Sequence, residues 1–242
     1  MISGDVLISA DTVVNLGGDE AAAELMAGLW AVDCQSCGRP LGAKPPALAV
    51  DDLAVFGWAS LHHPRCRPPG WNSGSVIAHP TAAGVTHRSR LVMMPTQKYR
   101  WSAQPDRMMP MMVVNPGMES VTLRQDRGRW RPQLHQMFAD AGMVPPGPKL
   151  RIGRPIRGVA AELTATTARV TVRTLPDGVY ESDLDAEIGS PDQFRRQITS
   201  QGGIMLAVSH FLDPADGDAL AGHLTNAMRD GRMLCGWAAL TR

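Results

Sequence analysis

Three of the four cysteines in this 242-residue chain fall, with a pair of adjacent histidines, into two short motifs, Cys34-Gln35-Ser36-Cys37-Gly38 and His62-His63-Pro64-Arg65-Cys66. No other feature limits the fold as strongly. Two residues separate Cys34 from Cys37, and two separate His63 from Cys66, a spacing that lets one tight backbone turn aim both members of a pair at a common point. Zn²⁺ takes four soft or borderline donors at tetrahedral corners, so the expected ligands are Cys34, Cys37, His63 and Cys66. Using His62 instead would leave three residues before Cys66, and His63 is the favoured ligand. Four protein ligands leave no position for a reacting water, which makes the expected site structural. The competing readings are a redox Cys-x-x-Cys with unrelated histidines and a reduced pair without metal. A redox pair sits on a strand-to-helix turn in a βαβ setting, and no such setting is visible here.

Around the ligands, the knuckle ending in Gly38, a hairpin-like stretch containing Trp58, and the closing His63-Pro64-Arg65-Cys66 resemble half of a LIM domain or another treble-clef finger, over about residues 33–72. The resemblance implies that Gly38 supplies the sharp turn after the second cysteine and that the last two ligands open a helix. Pro68 and Pro69 depart from the pattern, because they forbid more than one helical turn after Cys66. A ribbon-like or truncated finger fits as well. For the rest of the chain no family is suggested.

The chain is 44% hydrophobic and 19% charged, enough for a substantial core and unlike a disordered tail. Its start, Met1-Ile2-Ser3-Gly4-Asp5, is not that of a secretory signal, and no apolar run approaches the ~18 residues of a membrane span. The expected setting is the cytoplasm, without a membrane or a small-molecule cofactor. Cys235 stands apart in an apolar stretch and reads as an inert buried thiol.

The formal charge of +1 conceals a segregation. Residues 1–87 carry 4 Lys/Arg against 8 Asp/Glu, residues 88–173 carry 15 against 5, and residues 174–242 carry 5 against 10. Such a basic centre suits an anionic partner or is neutralised within the fold. Neutralisation is expected for part of it: Thr164–Thr174 and Val179–Leu184 read as a hairpin turning at Pro176-Asp177-Gly178, with Arg173 opposite Glu181 and Arg169 opposite Asp185. Elsewhere in the block, aromatic and basic residues interleave in Lys98-Tyr99-Arg100-Trp101 and Arg129-Trp130-Arg131, and Lys149, Arg151, Arg154 and Arg157 add a further row. Rings that stack bases beside cations that grip phosphates are what nucleic-acid binding needs. Strand alternation with core rings and arginine fringes would write the same string.

The coarse pattern predicts an α+β fold: a small zinc-stabilised N-terminal module over 1–75, and over 76–242 a mixed sheet with a hairpin and flanking helices, its centre (76–173) basic and its helical C-terminal part (174–242) acidic. Asp5–Asn15 includes a strand candidate, and a helix is expected from Gly18 to about Trp30. Strands are expected over Ser89–Met94 and Met108–Gln125, the latter interrupted at Pro116-Gly117, and a helix from Pro132 to Gly142. Residues 145–158 read as an extended basic loop. The apolar residues Phe194, Ile198, Met205, Val208 and Leu212 recur at helical spacing across Gly202-Gly203, and a second helix is expected from Asp213 to Gly231.

No phosphate-cradling glycine loop, dinucleotide fingerprint or nucleophile elbow is present. The methionines at 108, 109, 111 and 112 could offer thioethers to Cu(I), but adjacent strand residues point to opposite faces, and core filling is the simpler reading. The sequence thus favours a non-catalytic zinc-finger-containing protein contacting nucleic acid through its centre. The alternatives are a protein-protein adaptor or structural component of a larger assembly, and an enzyme whose site forms from residues distant in sequence.

Overall fold

A computed structural model describes residues 6–74, 88–95, 108–146, 153–173, 178–184, 190–214 and 217–241. In chain order the elements are α1 (Ala10–Leu16), α2 (Asp19–Ala27), β1 (Ala47–Asp52), β2 (Phe56–His62), β3 (Gly70–Ser73), β4 (Arg88–Pro95), β5 (Met108–Asn115), β6 (Ser120–Asp126), β7 (Arg129–Pro132), α3 (Leu134–Asp140), β8 (Pro155–Leu163), β9 (Thr167–Val172), β10 (Gly178–Asp183), α4 (Pro191–Gln201), β11 (Gly203–Val208), α5 (Gly217–Arg229) and β12 (Leu234–Leu240). Strands take 42% of the described residues and helices 24%, in two sheets, so the α+β expectation is corrected to a β-rich fold. The chain divides into two compact units, Met1–His87 with Pro116–Leu134, and Arg88–Asn115 with His135–Arg242. The boundary expected near residue 75 lies outside the described residues.

The first unit holds a five-stranded sheet in the order β3-β1-β2-β6-β7, with β3 parallel to β1 and the other pairs antiparallel. Leu48, Val50, Ala59, Leu61, Val121, Leu123 and Trp130 alternate along the strands onto one face, where they pack with Leu16 of α1 and Ala22 and Leu25 of α2. Each large side chain fully buried there contributes about 1.5–3 kcal/mol. Part of the segment expected to start with a strand is helix instead: Ser9 Oγ accepts the Thr12 N–H and caps α1, and Gly17 at φ 110° ends it. The strand character of this stretch is reduced to an isolated bridge from Leu7 to Ala47.

The second unit holds a seven-stranded sheet, β10-β9-β8-β12-β11-β5-β4, parallel at β12/β8 and β11/β5. Its edge strands approach each other. Leu91 N donates to Ser182 Oγ at 2.9 Å and Ser89 Oγ donates to the Glu181 carbonyl at 2.7 Å, so the sheet is nearly barrel-shaped. Leu220, Leu224 and Ala227 of α5 cover Met111, Val113, Met205, Ala207, Cys235 and Trp237, while their neighbours on the opposite face, Met112, Val114, Leu206 and Val208, are equally buried. Burial on both faces accounts for the consecutive methionines as packing residues. It also explains why Ile204–Val208 passes for helix in sequence: every residue of β11 is buried, so no alternation marks it as a strand. Gly202, at φ 74°, ends α4 and turns the chain directly into that strand.

The β9–β10 hairpin forms in a register four residues from the expected one. Arg169 pairs with Glu181, with Nη2 to Oε2 at 2.6 Å, and Val170 faces Tyr180. A shift by an even number preserves the faces, and this one sets the buried Val170 against the buried Tyr180. The Pro176-Asp177 turn lies outside the described residues. The basic stretch expected to be loop contributes β8 from Pro155 onward.

Candidate metal centre

The metal motifs fold as two turns at one end of the first sheet. Leading in, Asp33 bridges Pro40, Cys34 N donates to the Arg39 carbonyl at 2.9 Å and Leu41 N to the Val32 carbonyl at 2.9 Å. Gly38, at φ 65°, closes this knuckle by donating to the Cys34 carbonyl at 2.8 Å, a conformation costly for any residue with a Cβ. The chain then runs through the β1–β2 hairpin and leaves β2 into a single turn, in which Cys66 N and Arg67 N both donate to the His63 carbonyl, at 2.8 and 3.1 Å. Pro68 and Pro69 end that turn.

These turns bring one ligand atom each from Cys34, Cys37, His63 and Cys66 within 4.8 Å of one another. His63 Nδ1 lies 3.5 Å from Cys37 Sγ and 3.8 Å from Cys66 Sγ. Donors of this kind on one tetrahedral Zn²⁺ stand about 3.6 Å apart, given bonds of about 2.0 and 2.3 Å. The far side of the ring fixes its tautomer: His63 Nε2–H donates to the Pro40 carbonyl at 3.0 Å, which leaves the Nδ1 lone pair directed at the sulfurs. The His63 backbone N–H also donates to Cys34 Sγ at 3.3 Å.

The thiols do not ionise alike. The Arg39 backbone N–H, helped by His63 and the neighbouring thiols and opposed by burial, draws Cys37 down to about 6. Burial first, and then Cys37 and Cys34 beside it, push Cys66 up. Three sulfurs this close repel as anions, and a dication between them removes the conflict.

His62 is not available as a ligand. It is 2% exposed, with Nδ1 2.9 Å from Ser36 Oγ and Nε2 2.8 Å from Ser60 Oγ. Burial, then the charge of Arg67, holds its pKa down to about 4 against the pull of Asp51. It is therefore a neutral bridge between the knuckle and β2.

Two further features brace the site, and neither is apparent from sequence. Glu119, fully buried between β5 and β6, accepts the Asp33 N–H at 2.9 Å and Gln35 Nε2–H at 3.4 Å, tying the knuckle to the sheet. Arg67, next to Cys66, grips the fully buried Asp51 of β1 with both terminal guanidinium nitrogens, Nη1 lying 2.9 Å from Oδ2. Asn72 Nδ2 donates to the same carboxylate at 2.9 Å.

Of the residues expected to contact nucleic acid, only some fall among the described residues. Lys98, Tyr99, Arg100, Trp101, Lys149 and Arg151 lie outside the described residues. Arg129 and Arg131 are exposed on β7, an edge strand of the first sheet, whereas Arg154 and Arg157 are exposed in the second unit. Trp130 is 7% exposed and packs edge-on against Trp71 at 5.6 Å. Its ring belongs to the core, which corrects the expectation that it stacks on a base. Cys235, as expected of an inert thiol, is buried in the second core, and burial pushes it up to about 12. No helix among the described residues is long and apolar enough to cross a membrane. No family model, curated protein or solved structure matches the chain.

Proposed function

We propose that Cys34, Cys37, His63 and Cys66 hold one structural Zn²⁺, and that the chain is a non-catalytic binding protein of the cytoplasm whose partner is nucleic acid. The observation that carries the metal assignment is the convergence of three thiols on an imidazole nitrogen whose tautomer is already set by Pro40. Sulfur and imidazole donors suit Zn²⁺, and four of them complete its tetrahedron without water. The ion would join the knuckle to the turn after β2, a segment with little regular structure of its own, so that its binding free energy becomes folding free energy of the first unit. The excess of cations in the central third, including the exposed Arg129 and Arg131, supports an anionic polymer as partner.

Native mass spectrometry with metal analysis, followed by gel retardation with DNA and RNA at low salt, tests both parts. The expected result is one zinc per chain and retardation that fades steeply as salt rises. Zinc without any retardation would remove the nucleic-acid partner and leave the metal assignment standing.

A further inference from the structure

The β1–β2 and β6–β7 turns lie at the same end of the first sheet. Phe56, the first residue of β2, pairs with Arg124 of β6, and Arg124 pairs in turn with Arg131 of β7. The pleat sends their neighbours Gly57, Leu123 and Trp130 to the core face; a Cβ on Gly57 would stand 3.1 Å from the Trp130 ring and 3.5 Å from Leu123 Cβ. Phe56, Arg124 and Arg131 therefore share the opposite face, in a row about 10 Å long at the usual strand spacing. Phe56 is 52% exposed, and both arginines are exposed.

The turn that delivers Phe56 is unusual for its position. Leu53, Ala54 and Val55 are all apolar, and Leu53 and Val55 are 45% and 55% exposed. Ala54 sits at φ 73°, where glycine or asparagine is the ordinary occupant, at a cost of about 1–2 kcal/mol. Asp52 Oδ1 accepts the Ala54 N–H at 2.7 Å, and Leu53 N donates to the Phe56 carbonyl at 2.8 Å, so the apolar tip is held in one shape. The adjacent turn adds the exposed Arg127, and β7 opens on the exposed Arg129, which pairs across the strands with Asp126. A held apolar surface beside a group of cations is a binding feature, since turns are otherwise polar.

We infer that this end of the sheet is a platform for single-stranded nucleic acid: a base stacks on Phe56, phosphates pair with Arg124 and Arg131, and Arg127 and Arg129 flank them. This rests on the nucleic-acid reading above and moves the stacking contact from Trp130 to Phe56. Single strands fit because a ring reaches only a base whose face is free, and a duplex hides those faces. A bilayer fits less well, because an inserted tip needs its cations set back at headgroup level, whereas Gln125 N donates to the Val55 carbonyl and so carries the next turn, with Arg127, alongside the apolar tip itself.

The test uses the full-length zinc-loaded chain and a fluorescent oligo(dT) of roughly fifteen nucleotides, long enough for one platform. Phe56→Ala should weaken binding about 5- to 150-fold, and Phe56→Trp should retain it. Replacing Arg124 and Arg131 together with Gln should flatten the slope of log affinity against log salt by about 1.4. Because Phe56 is exposed, its variants should keep their zinc and melting temperature. If the unaltered protein binds neither single strands nor duplexes, the underlying nucleic-acid reading fails and takes this platform with it. If it binds and Phe56→Ala binds equally well, the platform alone is overturned. Preference for a duplex of equal length would overturn it too, as would Phe56-dependent binding to anionic phospholipid vesicles with oligo(dT) binding unchanged.

Discussion

Replacing Arg67 with Met should destabilise the first unit more than any change to an exposed ion pair. The Asp51 side chain has no solvent exposure, and that of Arg67 has 9%, so removing the guanidinium leaves a buried carboxylate without its countercharge where water cannot replace it. Breaking one side of such a pair costs about 3–5 kcal/mol, whereas an exposed pair contributes about 0–1 kcal/mol. Arg169 and Glu181, with side chains 40% and 41% exposed, provide the internal control. For a unit of roughly 100 residues, at about 4–8 °C per kcal/mol, the melting temperature should fall by at least ~12 °C in Arg67→Met and by far less in Arg169→Met. Calorimetry at saturating zinc, with tryptophan fluorescence to separate the units, is the assay; fixing the zinc level keeps ligand linkage from imitating the effect. The double variant Asp51→Leu/Arg67→Met should recover much of the loss, because no charge is then buried. Equal melting of Arg67→Met and Arg169→Met, or a double variant no more stable than Arg67→Met, would refute the reasoning.

In the second unit, a Cβ on Gly203 would meet the Ala238 carbonyl oxygen at 2.3 Å and the Trp237 ring at 2.9 Å, with backbone on one side that cannot step aside. Gly203→Ala should therefore cost about 1–3 kcal/mol in urea denaturation while leaving the zinc content unchanged; a neutral result would mean that β11 and β12 are packed less closely. Cys235, raised to about 12 by burial, stays a protonated thiol at pH 8. Iodoacetamide should leave it unmodified in the native chain and label it after unfolding, as read by peptide mass spectrometry; rapid native labelling would contradict its burial.

The cluster of Cys34, Cys37, His63 and Cys66 was legible because metal chemistry dictates residue type and spacing locally, and the shortness of the turn His63–Arg67 could be read from Pro68 and Pro69 alone. The break between β5 and β6 at Pro116-Gly117 was equally local. What escaped depended on partners distant in sequence. In β11, Met205 and Val208 match helical spacing by coincidence, since a strand buried on both faces has no period of its own. The register of β9 against β10 had several solutions with equal facing, and only burial of Tyr180 against Val170 selects among them. Arg129-Trp130-Arg131 reads the same whether its ring faces a base or a core, and Trp71 decided the matter from the far side of the sheet. Asp51 and Arg67, Glu119 and Asp33, and His62 with its two serines were all pairings that a linear string does not announce.

X-ray absorption at the zinc edge on the purified chain bears most directly on the central claim. One zinc is expected, with three sulfurs at about 2.3 Å and one nitrogen at about 2.0–2.1 Å, the nitrogen lost in His63→Ala and kept in His62→Ala. A chain that takes up no zinc, a shell with fewer than three sulfurs, or a nitrogen that disappears with His62 would contradict it.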